Sequence, residues 1–144
     1  MKNVFGLSLL AVLLLVGSAF TTADDFISYN VDTVESVIYW KGYKVTGQHD
    51  GIVNIQSGAL DYDNGQLVGG NFTIDMSSIT VKDLEGDYKA KLEGHLKSED
   101  FFGVEKFPTA KFVITKVMSR GMPGDYRIEG DLTIKETTKP IKFN

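Results

Sequence analysis

The residues with the most obvious chemical potential are two histidines, His49 and His95, which lie far apart in the sequence and lack the mutual spacing of metal ligands. The nucleophile elbow G-x-S-x-G, the zinc motif H-E-x-x-H and a phosphate-binding glycine loop do not occur in the sequence. No cysteine is available as a thiol nucleophile or for a disulfide. The motifs therefore predict no catalytic residues and no metal site. A small hydrolase that uses His95 with an Asp or Glu stays open as an alternative.

Each histidine has an expected environment. His95 precedes Leu96 in a helical segment, where its ring either hydrogen-bonds to a neighbouring loop or meets the polar head of a ligand. His49 lies in the polar segment 46–51, which is predicted to be a turn, so its side chain is expected to face solvent.

Aromatic residues make up 11% of the chain, and many fall in or beside predicted strands. This set consists of Trp40, Phe72, Phe101, Phe102, Phe107, Phe112 and Phe143. An eight-stranded barrel has an interior that is either filled by such side chains or wide enough for one apolar ligand. Composition alone leaves both interpretations open, a ligand-free structural barrel and an occupied one.

The elements that would position these residues are mostly strands. Apolar and polar residues alternate over 71–76, 111–118 and 126–134, which is the period of a half-buried strand. Alternation places Phe72, Ile74 and Met76 on one face of the first segment. In the second, it separates Phe112 and Ile114 from Val113, Thr115 and Val117.

Turns and one helix complete the predicted elements. Asn64-Gly65 predicts a type I′ hairpin, and the glycines of 121–124 predict a second one. Apolar side chains every four residues predict a short amphipathic helix, with Asp83 or Asp87 as its N-cap, lying across the sheet or closing one end of it. The apolar positions of this helix are Leu84, Tyr88, Leu92 and Leu96.

The first residues have the layout of a secretory signal peptide. Lys2 is followed by an apolar run over 4–16 and then by small residues that permit cleavage after Ala19 or Ala23. The run is shorter than the roughly 20 residues of a membrane-spanning helix, and no cysteine is available for a lipid anchor. We therefore expect a signal peptide over 1–23, a mature domain over 24–144, a periplasmic or secreted location and no stable membrane anchor.

Charge and composition exclude two further classes. The formal net charge of −4 argues against binding to nucleic acid, because neutralising phosphates requires a basic surface. A hydrophobic content of 42% is too high for an intrinsically disordered chain.

Two blocks of sequence are more specific than these patterns. Residues 92–110 read LEGHLKSEDFFGVEKFPTA, with a His-Leu, a Ser-x-Asp-Phe-Phe and a Glu-Lys-aromatic-Pro in that order. Residues 130–143 read GDLTIKETTKPIKF. Both blocks resemble signature segments of the YceI-like family, and a weaker likeness covers 31–40.

The resemblance implies an all-β fold: an extended antiparallel lipocalin-like β-barrel with one short helix. It further implies an exported, non-enzymatic protein without a cofactor, whose lumen holds a polyisoprenoid or related amphiphile such as a fatty-acyl lipid. The residues of this sequence that match the family pattern fall in two places. One is the helix and the loop after it, at the mouth of the barrel, and the other is an early strand. Together with the alternating strand residues, the expected ligand-binding set is Ile38, Trp40, Phe72, Ile74, His95, Leu96, Phe101, Phe102, Phe112 and Ile114.

The chain also departs from the family pattern. Leu92-Glu93 stands where the family often has Arg-Asp, which removes a cation that could meet an anionic head group. The family domain usually continues past the Thr-Lys-Pro strand, whereas this chain stops at Asn144. We therefore expect a barrel truncated at its C-terminus, with an exposed edge that favours a homodimer.

Overall fold

The computed structural model describes residues 26–144, which form one antiparallel sheet and one helix. The predicted signal peptide lies outside these residues. The all-β class with a single short helix is confirmed. In chain order the elements are β1 (Phe26–Asn30), β2 (Val37–Lys44), β3 (Gly47–Asp63), β4 (Gln66–Val81), α1 (Gly86–Lys97), β5 (Thr109–Ser119), β6 (Tyr126–Ile134) and β7 (Thr137–Phe143).

Strand β3 organises the N-terminal part of the sheet. It is 17 residues long and pairs with β4 along one side. Strands β1 and β2 pair with different stretches of the same β3, opposite residues 59–63 and 47–54 respectively. From β3 the sheet continues in chain order through β4, β5 and β6 to β7.

The two predicted hairpin turns are confirmed. Asn64 and Gly65 join β3 to β4 with φ angles of 48° and 77°, as a type I′ turn requires. Gly121 and Gly124 join β5 to β6 with φ angles of 98° and 82°.

The sheet of residues 26–144 is not closed by hydrogen bonds. Strand β7 pairs only with β6, and β1 and β2 pair only with β3. Even so, Ile38 of β2 and Ile141 of β7 line one common cavity, so the sheet curls until its two edges face the same space. The fold therefore fits the all-β, lipocalin-like class, and its sheet is open within residues 26–144.

A β-bulge in β5 changes the predicted faces of that strand. The register shifts between Ile114 and Lys116, and Val117 comes to lie opposite Ile128. Because Ile128 lines the cavity, Val117 shares its side of the sheet. The prediction that Val117 opposes Phe112 and Ile114 is wrong, since strict alternation does not allow for an inserted residue.

The helix begins at Gly86 and is capped differently than predicted. Its N-cap residue is Glu85, whose side chain makes no capping hydrogen bond. Neither Asp83 nor Asp87 is the N-cap: Asp83 instead accepts a hydrogen bond from the backbone N–H of Asp50, and Asp87 lies in the first turn. At the other end, the hydroxyl of Ser98 donates to the carbonyl of His95 over 2.8 Å.

The hydrophobic core lies where the helix packs against the sheet. Helix α1 contacts β4 and buries Leu96 there. The core consists of Val53, Ile74, Met76, Ile79, Val81, Leu96 and Ala110. Within residues 26–144, no helix is long and apolar enough to cross a bilayer.

Candidate ligand cavity

An apolar cavity of about 430 Å³ opens on the inner side of the curled sheet. Every side chain that lines it is aliphatic or a phenyl ring, so the lining offers no titratable group. The lining residues are Ile38, Ile55, Leu60, Leu67, Phe72, Ile74, Phe112, Ile114, Ile128, Leu132, Ile141 and Phe143. Such a lining favours contact with apolar matter and provides no acid, base or nucleophile.

Strand register explains how these side chains come together. Phe72 of β4 pairs with Phe112 of β5, which in turn pairs with Leu132 of β6. Residues paired across antiparallel strands project to the same face, so the row forms a continuous apolar band across the sheet. Period-2 alternation adds further rows on either side of this one.

The phenyl rings form the centre of the lining. The ring centroids of Phe72 and Phe112 are 6.3 Å apart with an interplanar angle of 28°. Those of Phe112 and Phe143 are 5.6 Å apart and tilted by 45°. These separations are within the range of favourable aromatic pairs, which holds Phe112 between its two neighbours.

Two glycines leave room for these rings. A Cβ atom at Gly58 would lie 2.7 Å from Cδ1 of Phe72, and one at Gly130 would overlap the ring of Phe112. Any larger residue at either position would push a phenyl ring out of its place. The absence of a side chain at 58 and 130 therefore sets the shape of the cavity.

Five of the ten predicted ligand-binding residues line this cavity: Ile38, Phe72, Ile74, Phe112 and Ile114. Two others, Trp40 and Leu96, line a separate pocket of about 120 Å³ between β2 and the helix. The indole N–H of Trp40 donates to the carbonyl of Ile52 over 3.2 Å, which fixes the ring against the sheet.

The remaining three predicted residues do not line the apolar cavity. His95 is exposed, and its ring centroid is 5.9 Å from that of Phe101, which packs edge-on against Phe102 at 4.7 Å. The backbone N–H of Phe102 donates to the carbonyl of Leu96, and that of Gly103 donates to the carbonyl of Ser98. This conspicuous segment thus forms the loop that ends the helix.

Sequence reasoning missed seven lining residues: Ile55, Leu60, Leu67, Ile128, Leu132, Ile141 and Phe143. For Ile128 and Leu132 the signal was present, because both lie on the apolar face of the alternating segment 126–134. Ile141 and Phe143 share the same alternation at the end of the chain. Ile55 and Leu60 lie on either side of a bulge in β3, which breaks the period that would have identified them.

His49 lies in strand β3, so the prediction of a solvent-facing turn is wrong. Its Nδ1 is 2.8 Å from Oδ2 of Asp83, and both side chains are partly buried. The hydrogen bond from His49, together with the one from the Asp50 backbone, holds the pKa of Asp83 below its ordinary value of 3.8. This pair attaches the start of β3 to the segment that leads into the helix.

Comparison with known proteins gives a consistent result. The model of the YceI-like domain matches residues 29–144. A UPF0312 protein of Shewanella denitrificans is 32% identical over 148 residues, which covers 98% of this chain and 71% of that protein. A UPF0312 protein of Photorhabdus laumondii is 31% identical over 99% of this chain and 70% of its own length. A UPF0312 protein of Pseudomonas putida is 38% identical over 82 residues, which is 51% of this chain and 42% of that protein.

Proposed function

This chain belongs to the YceI-like family, and on that premise we propose that it is an exported, non-enzymatic carrier of a long-chain lipid. The ligand class is an isoprenoid or a related amphiphile with an apolar tail. The protein sequesters that tail in the cavity of the curled sheet.

The observation that carries the proposal is the wholly apolar lining of the cavity. Its volume of about 430 Å³ is within the range of about 300–1,000 Å³ typical of small-molecule sites. Burial of an apolar chain contributes about 0.8 kcal/mol per methylene. A long tail therefore binds without any specific polar contact.

The same observation favours the proposal over its two alternatives. A structural barrel with a filled core would leave no continuous space between the phenyl rings. A hydrolase would need a nucleophile or a base beside the bound chain, and none of the twelve lining side chains supplies one.

Mass analysis of co-purifying lipid is the direct test. Protein purified from its own host under non-denaturing conditions should carry a long-chain lipid in native mass spectra. Protein stripped of lipid should take up added farnesol. A protein that is empty as isolated and also fails to bind farnesol would overturn the proposal.

A pair of variants on one strand provides the control. Phe112→Asp places a carboxylate in the lining, whereas Val113→Asp places it on the opposite, exposed side of β5. Farnesol uptake should be lost in the first variant and retained in the second. Circular dichroism on the same samples separates loss of binding from loss of folding.

Export is the second part of the proposal, and the apolar run over 4–16 supports it. Amino-terminal sequencing of the protein from its host should begin at Phe20 or Asp24, according to the cleavage position. A protein that retains Met1 in a cytoplasmic fraction would contradict export.

A further inference from the structure

Strand β7 carries a lysine on the same side of the sheet as the apolar cavity. Lys139 lies opposite Leu132 in the register, and Leu132 lines the cavity. Ile141 is two residues further along β7, therefore on the same side, and it lines the cavity as well. Because the Cβ atoms of directly paired residues are about 4.5–5.5 Å apart, the stem of Lys139 starts beside the lining.

This placement is unusual among the charged residues of strands β4 to β7. The register puts the others on the opposite side, where they alternate with the lining residues. Those others are Asp75, Lys111, Lys116, Arg127, Glu129, Asp131 and Lys142. On β2, Lys44 borders the separate pocket next to Trp40 instead. Lys139 is thus the charged side chain that shares its face with the centre of the cavity.

Lys139 also has no carboxylate bound to it within residues 26–144. Its neighbour on the other face, Lys142, is 3.1 Å from Oε1 of Glu129. Lys139 is exposed and lies on the edge strand, where the sheet is open. A lysine in such a place lays its methylene stem along apolar surface and keeps its ammonium in water.

We propose that Lys139 binds the anionic head group, a carboxylate or a phosphate, of an amphiphile whose tail occupies the cavity. This inference rests on the proposed function and narrows its ligand from long-chain lipids in general to acidic ones. The ammonium donates charge-assisted hydrogen bonds to the head group at the open edge, and the tail extends past Leu132 and Ile141 towards the phenyl rings.

The test compares two ligands with the same tail and different heads. Farnesoic acid and farnesol are titrated into lipid-free protein at pH 8 by calorimetry. The wild type should bind the acid about fivefold more tightly than the alcohol, as expected for a partly solvated ion pair. Acetate at the same concentration should not compete, because a free anion lacks the tail.

Two variants on β7 assign the preference to one side of the sheet. Lys139→Met keeps a long apolar stem and removes the charge, so it should bind acid and alcohol equally. Lys142→Met makes the same change on the opposite side and should keep the wild-type preference. Farnesol binding serves in both variants as the measure of an intact cavity.

The outcomes separate this inference from the function on which it rests. If the wild type binds farnesol but shows no preference for the acid, or if Lys139→Met retains that preference, the inference is overturned and the carrier function stands. If the wild type binds neither ligand, both are overturned.

Discussion

At the scale of single residues, Gly130 controls the position of the central phenyl ring. A methyl group at 130 would overlap the ring of Phe112, whereas one at Gly42 of β2 would meet no atom within 4 Å. Gly130→Ala should therefore lower the free energy of unfolding by about 1–3 kcal/mol through overpacking and weaken farnesol binding. Urea denaturation and calorimetry measure the two effects.

Gly42→Ala is the matched control, because it makes the same substitution at a strand position that does not line the cavity. It should leave ligand binding unchanged and alter stability by about 0.4–1 kcal/mol in the favourable direction. Equal losses in the two variants would contradict the role assigned to Gly130.

The contact between His49 and Asp83 predicts a dependence of stability on pH. The pKa of Asp83 is lowered in the folded protein, chiefly by the hydrogen bond from His49, so the ionised carboxylate stabilises the fold. This contribution is fully present above the unfolded pKa near 3.8 and is lost as the pH falls through the lower, folded value. The melting temperature of Asp83→Asn should lie below that of the wild type at neutral pH, and the gap should close in acid. A gap that stays constant down to the lowest pH would contradict this assignment.

At the scale of elements, Leu96 is the one side chain of the helix that is buried. Leu96 is 8% exposed against β4, whereas Tyr88 on the same helix is 75% exposed. Leu96→Ala should cost about 2–5 kcal/mol of stability, and Tyr88→Ala should change it by no more than about 0.5 kcal/mol. Chemical denaturation of both variants measures the difference. Similar losses of stability in the two variants would mean that burial of Leu96 does not stabilise the packing of the helix.

Local pattern was enough to predict strands over 71–76, 111–118 and 126–134 and two of the hairpins, and it also identified part of the cavity. Phe72, Ile74, Phe112 and Ile114 follow from alternation, because each lies on a regular stretch of strand with one apolar face. Val117 was misplaced because a bulge precedes it, and bulges have no reliable signal in a single sequence.

The segment around the helix was harder to place for a different reason. The distinctive pattern of His95, Phe101 and Phe102 marks a loop that ends the helix, while the cavity lies elsewhere on the sheet. His49 was assigned to a turn because its neighbours are polar. What makes that position a strand is the hairpin pairing with Gly42 of β2, together with the long-range contact to Asp83. Such contacts depend on tertiary packing, which propensity does not capture.

At the scale of the whole molecule, the two edges of the sheet differ in their capacity to pair with another chain. The homodimer predicted from the sequence requires a free edge with donors and acceptors. Pro140 in β7 removes one donor, and a proline in a strand is tolerated where its nitrogen faces away from the partner. The free side of β7 therefore offers fewer hydrogen-bond donors to another strand. We expect pairing between copies to use β2 instead.

Replacing the proline tests this difference. Pro140→Thr restores a donor on the free side of β7 and should increase self-association at a given concentration. Light scattering during size-exclusion chromatography measures the change. A folded variant with the same association behaviour as the wild type would show that Pro140 does not limit pairing at this edge.

The common cavity of Ile38 and Ile141 has a consequence for folding. These residues lie on opposite edges of the sheet of residues 26–144, which no hydrogen bond closes, so a bound tail that contacts both would hold β2 and β7 together. Edge strands open at the lowest free energy, and a ligand that binds only the folded state shifts that opening by mass action. Hydrogen exchange should therefore slow in β2 and β7 together when farnesol binds. Unchanged exchange in both strands would contradict this coupling. In such a carrier the bound lipid takes part in holding the fold together. The lipid-bound protein should therefore resist proteolysis longer than the lipid-free protein.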